Sequence, residues 1–439
     1  MQLSGHEPTF RQNKPKSNPY RMMVWVVLIM GAMAVLRANI QGSFRPFAPA
    51  PTPTRTTNSY AQEAETYFIA GDLDKAITAY QQATSRDPSD FHLWSDLARV
   101  QVYSSELLTT DQQKYDRLTA GVASAREGVK LAPNESEAHA ILAFALDWRA
   151  TNPLVPPEEQ AANMFEADQE ANTARHLDET NPLALAYYAE ILVDEQKWTL
   201  AQQYSQEAVT RDPNSMDVRR INAYVYESYG DYSLAIKEYQ AASAIMPNLT
   251  FLYISIGKIY RSMQRYDDAL SYFDKAAKTN AQLGINDPIP YLAIANTYAQ
   301  QGQPLVAVRN VKKAISLNPT SPDVYGQLGM IYIKARNYES ALPAFDCAIN
   351  GCNATQSCDV RQCDNTVDPP VVIKGMPLTD NTVGYYYSYG SILAAMHRSG
   401  VDNYCTQALQ VLAKVQAAYA SNSTIMGIVK ASQSICSGQ

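Results

Sequence analysis

The sequence is poor in the residue patterns that chemistry requires. It holds five histidines in 439 residues. His6, His92, His139, His176 and His397 all fall outside any metal-binding or nucleophile-activating motif. There is no glycine-rich loop to cradle a phosphate and no Gly-x-Ser-x-Gly elbow. Glu158 and Glu159 follow two prolines, so they read as a helix first turn, where carboxylates complement the dipole, and not as an acid/base pair. A glycan-cleaving enzyme would need paired carboxylates across a cleft. The expectation is a protein without catalytic residues, metal or cofactor. Positive charge is also scarce beyond the N-terminus. Residues 1–45 carry six basic side chains against Glu7, a surplus of +5; the total of −7 therefore leaves −12 for the rest. So acidic a body repels phosphates, and neutralising phosphates dominates nucleic-acid affinity, so no nucleic-acid partner is expected.

Long hydrophobic runs are absent except for one, MMVWVVLIMGAMAVLRANI at 22–40. Nothing from Met22 to Leu36 is charged, and Arg37 is near enough to the end to snorkel into headgroups. As a helix this stretch spans about 28 Å, close to the roughly 30 Å of a hydrocarbon core. Arg11, Lys14, Lys16 and Arg21 precede it, which predicts a cytoplasmic N-terminus and an extracytoplasmic body, periplasmic or at the cell surface. Ala32-Met33-Ala34 resembles a signal-peptide cleavage site, so retained anchor and removed signal both remain open; either exports the body. Prolines 46, 49, 51 and 53 make the next stretch a semi-rigid extended spacer.

What is abundant is tyrosine, 29 against 10 Phe and 4 Trp, and alanine in register. Ala201, Ala235 and Ala269 are 34 apart, as are Ala208, Ala242 and Ala276. After a four-residue slip, Ala307 and Ala341 keep the spacing, with Ala314 and Ala348. Tyr239, Phe273, Val311 and Phe345 keep step. A period of 34 marks stacked helix–turn–helix units. Within 323–349, Tyr325, Leu328, Gly329 and Tyr332 share one helical face, and Ala341, Phe345 and Ala348 stripe the next helix. Small Gly329 and Ala341 allow close approach, and large rings fill the gaps. No unit buries its apolar face alone, so the units must stack.

At these residues the chain resembles the tetratricopeptide repeat family. The matching positions lie in 57–90, 182–213, 216–249, 250–281, 288–319 and 322–348. Three stretches depart from the pattern, one of them 383–420, which reads as a degenerate unit (Tyr386, Gly390, Leu393, Ala408, Leu412). Residues 91–133 carry about ten extra residues before the second helix, and 151–160 (TNPLVPPEEQ) reads as a proline-made loop. The expected fold is all-α: a right-handed solenoid of stacked helix–turn–helix units, preceded by one transmembrane helix. The expected organisation is a basic cytoplasmic tail (1–21), a transmembrane signal-anchor helix (22–40) and a Pro-rich linker (41–58). Then come about eight repeat units (59–349), a Cys-rich loop (350–382), and a degenerate ninth unit with a capping helix (383–439).

All six cysteines, Cys347, Cys352, Cys358, Cys363, Cys405 and Cys436, lie in the last quarter. An even number in an exported protein predicts disulfides that staple the polar loop after Cys347. Their gaps of four and five residues suit structural zinc poorly. Six cysteines allow fifteen pairings, and spacing does not choose among them. Four Asn-x-Ser/Thr sequons (Asn134, Asn248, Asn353, Asn422) matter only in a glycosylating host.

The resemblance implies that first helices line a concave face and that defined positions point into it. Those positions here are Arg220, Tyr224, Glu227, Lys258, Arg261 and Asn296. Three cations with a Tyr and an Asn could hold an acidic or extended peptide by charge-assisted hydrogen bonds. The family's Lys/Asn clamp for a C-terminal carboxylate is not present at the corresponding positions. The expected function is a membrane-tethered scaffold or adaptor for protein partners of an envelope complex, with the bilayer contacted through 22–40. The alternative is a self-associating structural subunit of a surface layer or larger membrane machine.

Overall fold

The computed structural model describes residues 18–40, 56–364, 368–398 and 403–438. The basic residues Arg11, Lys14 and Lys16 and most of the Pro-rich linker lie outside the described residues. The chain divides into two units, 1–55 and 56–439. In the first, α1 (Pro19–Ile40) is long and apolar enough to cross a membrane: over Pro19–Ala38 the mean hydropathy is 1.8 and none of it is buried. A signal sequence has the same character, so this feature alone does not separate the two readings.

The second unit is built from helix pairs. They are α2 (Thr57–Ile69) with α3 (Leu73–Arg86), α4 (Phe91–Ser104) with α5 (Asp111–Leu131), and α6 (Ser136–Ala150) with α7 (Pro157–Leu177). Next come α8 (Pro182–Asp194) with α9 (Trp198–Arg211), α10 (Met216–Tyr229) with α11 (Tyr232–Ile245), and α12 (Phe251–Ser262) with α13 (Tyr266–Leu283). The series continues with α14 (Ile289–Gln300) and α15 (Pro304–Leu317), then α16 (Pro322–Lys334) and α17 (Tyr338–Ile349). After the short α18 (Ala354–Arg361) follow α19 (Val383–Met396), α20 (Tyr404–Ala418) and α21 (Ser423–Ser437). The described residues contain no strand; an isolated antiparallel bridge joins Cys352 to Ile373. The chain is an all-α solenoid.

Three local devices repeat with the sequence period. The turn inside a pair passes through a left-handed residue: Gln196, Gly230 and Gln264, then Gly302 and Arg336, all at positive φ. The four-residue slip falls between Gln264 and Gly302 because α13 has 18 residues where α11 has 14, one extra helical turn. The in-register alanines, from Ala201 to Ala348, are all at 0% exposure. Opposite the small residues sit large ones: a Cβ on Gly329 would stand 2.8 Å from the Phe345 ring, and one on Gly257 2.4 Å from Phe273. Lastly, the sixth residue after a unit-ending proline donates to that proline's carbonyl. Trp94 does so to Pro88 (3.1 Å), Arg219 to Pro213 (2.9 Å), Tyr253 to Pro247 (2.9 Å) and Tyr325 to Pro319 (3.0 Å). His139 Nε2 takes the same place toward Pro133 (2.9 Å). A buried aromatic with one polar tip suits this post, packing its ring while satisfying an orphan carbonyl.

Two expectations need adjustment. The proline-made loop is shorter than 151–160, because Pro157 occupies the first helical turn of α7, where its missing N–H costs nothing, and Glu158 and Glu159 follow in that turn. The extra residues after α4 are spent on a lengthened α5 and on a connection, Ser105–Thr110, that runs along the inner face of the solenoid. There Thr109 meets Ser321 (2.6 Å), 212 residues away. Further contacts close the coil on itself. Asn248 donates to the Ile69 carbonyl (3.0 Å), and Thr379 and Asn381 donate to Asp111 (2.6 and 2.8 Å). Tyr103 stacks on Phe251 with ring centroids 5.5 Å apart.

The cysteines pair as Cys347–Cys352, Cys358–Cys363 and Cys405–Cys436. The first two close local loops around α18, and the third ties α20 to α21. Three of the four sequon asparagines have structural work. Asn353 and Asn422 cap α18 and α21, and Asn248 makes the coil-closing bond above. An Asn followed by Ser or Thr near a helix start is a capping sequence as readily as a glycosylation signal.

Candidate partner-binding surface

The first helix of each pair faces the axis of the coil. The first helices α8 and α10 meet with an offset of 30 residues, one helical turn less than the 34-residue period. Thus Tyr187 donates to Asp217 (2.9 Å), Arg220 to Glu190 (2.8 and 2.7 Å) and Tyr224 to Asp194 (2.8 Å). Within one pair, Thr250 at the start of α12 donates to Asn280 of α13 (3.2 Å). Two adjoining cavities open on this face and share Glu106, Phe251 and Lys258.

The larger cavity, about 290 Å³, contains Arg220, Tyr224, Glu227 and Lys258 of the expected set. Arg220 does not serve as a free groove cation. It is 5% exposed, binds Glu190 through both carboxylate oxygens, and its guanidinium lies 5.5 to 5.6 Å from the rings of Tyr103, Phe144 and Trp148. The repeat-position rule assumed an open concave wall. The coil instead closes over Tyr103 and Phe251, and a charge enclosed there must carry its own counter-charge. Tyr224 and Glu227 are also engaged: Tyr224 donates to Asp194, and Glu227 accepts from Tyr239 at 3.0 Å. Burial raises the Glu227 carboxyl above its ordinary value, against the Tyr239 hydrogen bond and the charge of Lys258.

The smaller cavity, about 210 Å³, holds Lys258, Arg261 and Asn296, joined by Lys114 from α5. Arg261 is half-buried, donates to the Ala293 carbonyl at 3.4 Å and lies 5.6 Å from the centre of the Phe273 ring. Burial lowers its pKa, the reverse of what a carboxylate partner would do. The cavity's own carboxylates are engaged elsewhere. Asp287 accepts from Asn280 and the Ile289 amide (both 2.9 Å), and Asp323 accepts from Gln327 (2.7 Å) and Tyr385 (2.8 Å). Asn296 donates to Gln327 at 3.0 Å. Lys258 is solvent-exposed at the junction of the two cavities.

Sequence reasoning missed Glu106 and Lys114, which arrive from the α4–α5 region, and the carboxyls Asp147, Glu190 and Asp194. The first two have no signal in the repeat, because they belong to its interruption. The carboxyl partners follow from the 30-residue offset applied to Arg220 and Tyr224. The buried Asp147 and half-buried Asp194 carboxyls lie beside each other on this cavity and each perturbs the other. Among the described residues no group of three His, Cys, Asp or Glu side chains is placed to hold a metal ion.

Comparison with known proteins places this architecture. Tetratricopeptide repeat family models match residues 57–90, 252–283 and 290–321, and also 311–342. No curated protein matches the chain. Among solved structures, human IFIT1, crystallised as a dimer with PPP-AAAA, is 15% identical. The alignment covers 85% of this chain and 81% of that one, with a TM-score of 0.51. A thermophilic tetratricopeptide repeat protein of Thermus thermophilus is also 15% identical (46% of this chain, 98% of that one, TM-score 0.38). So is one from Parabacteroides merdae (63% and 98%, TM-score 0.37). At this identity the likeness is one of fold.

Proposed function

The chain carries tetratricopeptide repeats, and from that premise we propose that it is a membrane-tethered, extracytoplasmic scaffold or adaptor that holds a protein partner of an envelope complex on its inner face. The repeat fold supports protein–protein interaction in general; the observation that carries the finer reading is the half-buried Arg261, with no carboxylate in ion-pair reach among the described residues, beside Lys258 and Lys114. A guanidinium and two ammonium groups lining one cavity suit an acidic side chain of an extended segment, with Asn296 adding a polar contact. Arg220 is left out of this set because Glu190 already neutralises it. The tethering and export reading is supported by the apolar α1 and by six paired cysteines, which persist in oxidising compartments.

Affinity purification of the full chain, followed by mass spectrometry, tests the proposal. The wild type is expected to recover a discrete partner. Lys258→Glu/Arg261→Glu should lower its yield at least tenfold while circular dichroism stays unchanged. Equal recovery by the folded double variant would remove the inner face from consideration. Concentration-dependent assembly of the chain with itself, and no other protein recovered, would favour the structural-subunit alternative. For the compartment, a thiol reagent applied to unreduced native membranes should leave all six cysteines unlabelled; extensive labelling would contradict export.

A further inference from the structure

We infer that the larger inner cavity, walled by Asp147, Asp194, Trp148 and Tyr224, is a receptor for a guanidinium or ammonium group, supplied by an arginine or lysine side chain of the bound partner. This rests on the scaffold reading above and names the chemistry of a second contact, next to the one that takes an acidic group.

The argument starts from charge. Five carboxyls line this cavity, those of Glu106, Asp147, Glu190, Asp194 and Glu227, against two cations, Arg220 and Lys258. Arg220 is consumed by its two-pronged bond to Glu190. Lys258 stands exposed at the border with the smaller cavity. The acidic side is therefore left in excess.

Most of these carboxyls have a donor of their own. Trp148 Nε1 donates to Glu190 (3.2 Å), Tyr224 to Asp194 (2.8 Å), and Tyr239 to Glu227 (3.0 Å). Asp147 differs from these three. It is 2% exposed and lines the cavity, and its Oδ1 accepts no hydrogen bond. Burial, then the charges of Asp194 and Glu190, hold its carboxyl well above the ordinary range. An unsatisfied buried acceptor destabilises the fold, more so when charged. An arriving cation would offset the negative charge of the Asp147–Asp194 carboxyl pair.

The wall also suits an organic cation. Trp148, Tyr224 and Tyr239 line the cavity beside the carboxyls, and Arg220 is already held among aromatic rings. The planar fork of a guanidinium matches paired carboxyls better than the point charge of an ammonium does. Arginine should therefore bind more tightly than lysine.

The test uses the full chain and two capped tripeptides, acetyl-Gly-Arg-Gly-amide and its citrulline counterpart, which keeps the shape and removes the charge. Calorimetric titration should show at least tenfold tighter binding of the arginine peptide. The isosteric double variant Asp147→Asn/Asp194→Asn should erase that preference while the thermal midpoint does not fall. Equal binding of the two peptides to the wild type would overturn the inference, as would an arginine preference that survives in the double variant. Failure here is distinguishable from failure of the scaffold reading. A partner lost on charge reversal of Lys258 and Arg261 would leave the scaffold standing without this receptor. An arginine preference with no recoverable partner would leave the receptor without the scaffold.

Discussion

Glu190 and Arg220 are separated by 30 residues and meet, both buried, through two hydrogen bonds. Each ion is desolvated, so neither can lose the other without leaving a lone charge in a closed interior. Arg220→Met should cost about 3–5 kcal/mol in urea unfolding, whereas the paired Glu190→Leu/Arg220→Met change should recover most of that loss. If the single change costs under about 1 kcal/mol, the enclosed interior described here is wrong. Asp287 behaves differently. It is 5% exposed and burial raises its pKa from 3.8 to about 6, overriding the Ile289 amide and Asn280. Its folded pKa lies above the unfolded one, so its neutral form favours folding. That contribution is complete below about pH 4 and is lost as pH rises through 6. Asp287→Asn should therefore gain stability relative to wild type across that window, by up to roughly 1.4 kcal/mol per pH unit. A difference that stays flat from pH 4 to 7 would contradict the assignment.

Within one unit the helices are joined by size complementarity. Gly329 on α16 and Phe345 on α17 form one such pair; a Cβ at 329 would sit 2.8 Å from the ring. Gly329→Val should destabilise by about 1–3 kcal/mol through overpacking. Adding Phe345→Leu should restore part of the loss, because the smaller side chain vacates the contested space. Additive losses in the double variant would mean that the two residues are not coupled. Spacing gives Gly329 and Phe345 fixed places in the repeat; that the ring packs on Gly329 inside the pair, and not only between pairs, is a matter of the tertiary structure. The residues at the intra-pair turn were less legible. Gln196, Gln264 and Arg336 hold the same left-handed conformation that glycine holds at 71, 230 and 302. Position in the period identifies them, while residue type does not.

At the scale of the whole molecule, the consequential feature is that the coil meets itself. Gly71, at φ +79°, lies so close to Asn248 that a Cβ would stand 2.4 Å from its carbonyl oxygen. Gly71→Ala would strain the turn and push against that backbone together. Hydrogen exchange should quicken in α2 and α3 while α14 to α17 keep their protection, because contacts in a stacked array are mainly with neighbours. Uniform protection would show that the contact with Asn248 is dispensable. Arg220, Lys258 and Arg261 all line inner cavities, but the closure buries Arg220 against Glu190. Repeat position says which residues face inward, and the path of the coil says which of those remain accessible.

The amino-acid sequence alone determined the all-α repeat architecture. A 34-residue pattern of small and large apolar residues has no way to leave water except by stacking helix pairs, and this logic is local, readable unit by unit. It also marked one segment apolar enough for a membrane and confined the cysteines to the polar C-terminal region. The tertiary structure alone decided the cysteine partners, the route of Ser105–Thr110 along the inner face, and the neutralisation of Arg220. The cysteine pairs and the Arg220 ion pair are settled by packing within or between adjoining helices, whereas the coil's closure depends on how small rotations between successive units accumulate until residues some 180 to 270 positions apart are brought together. No single repeat records that sum.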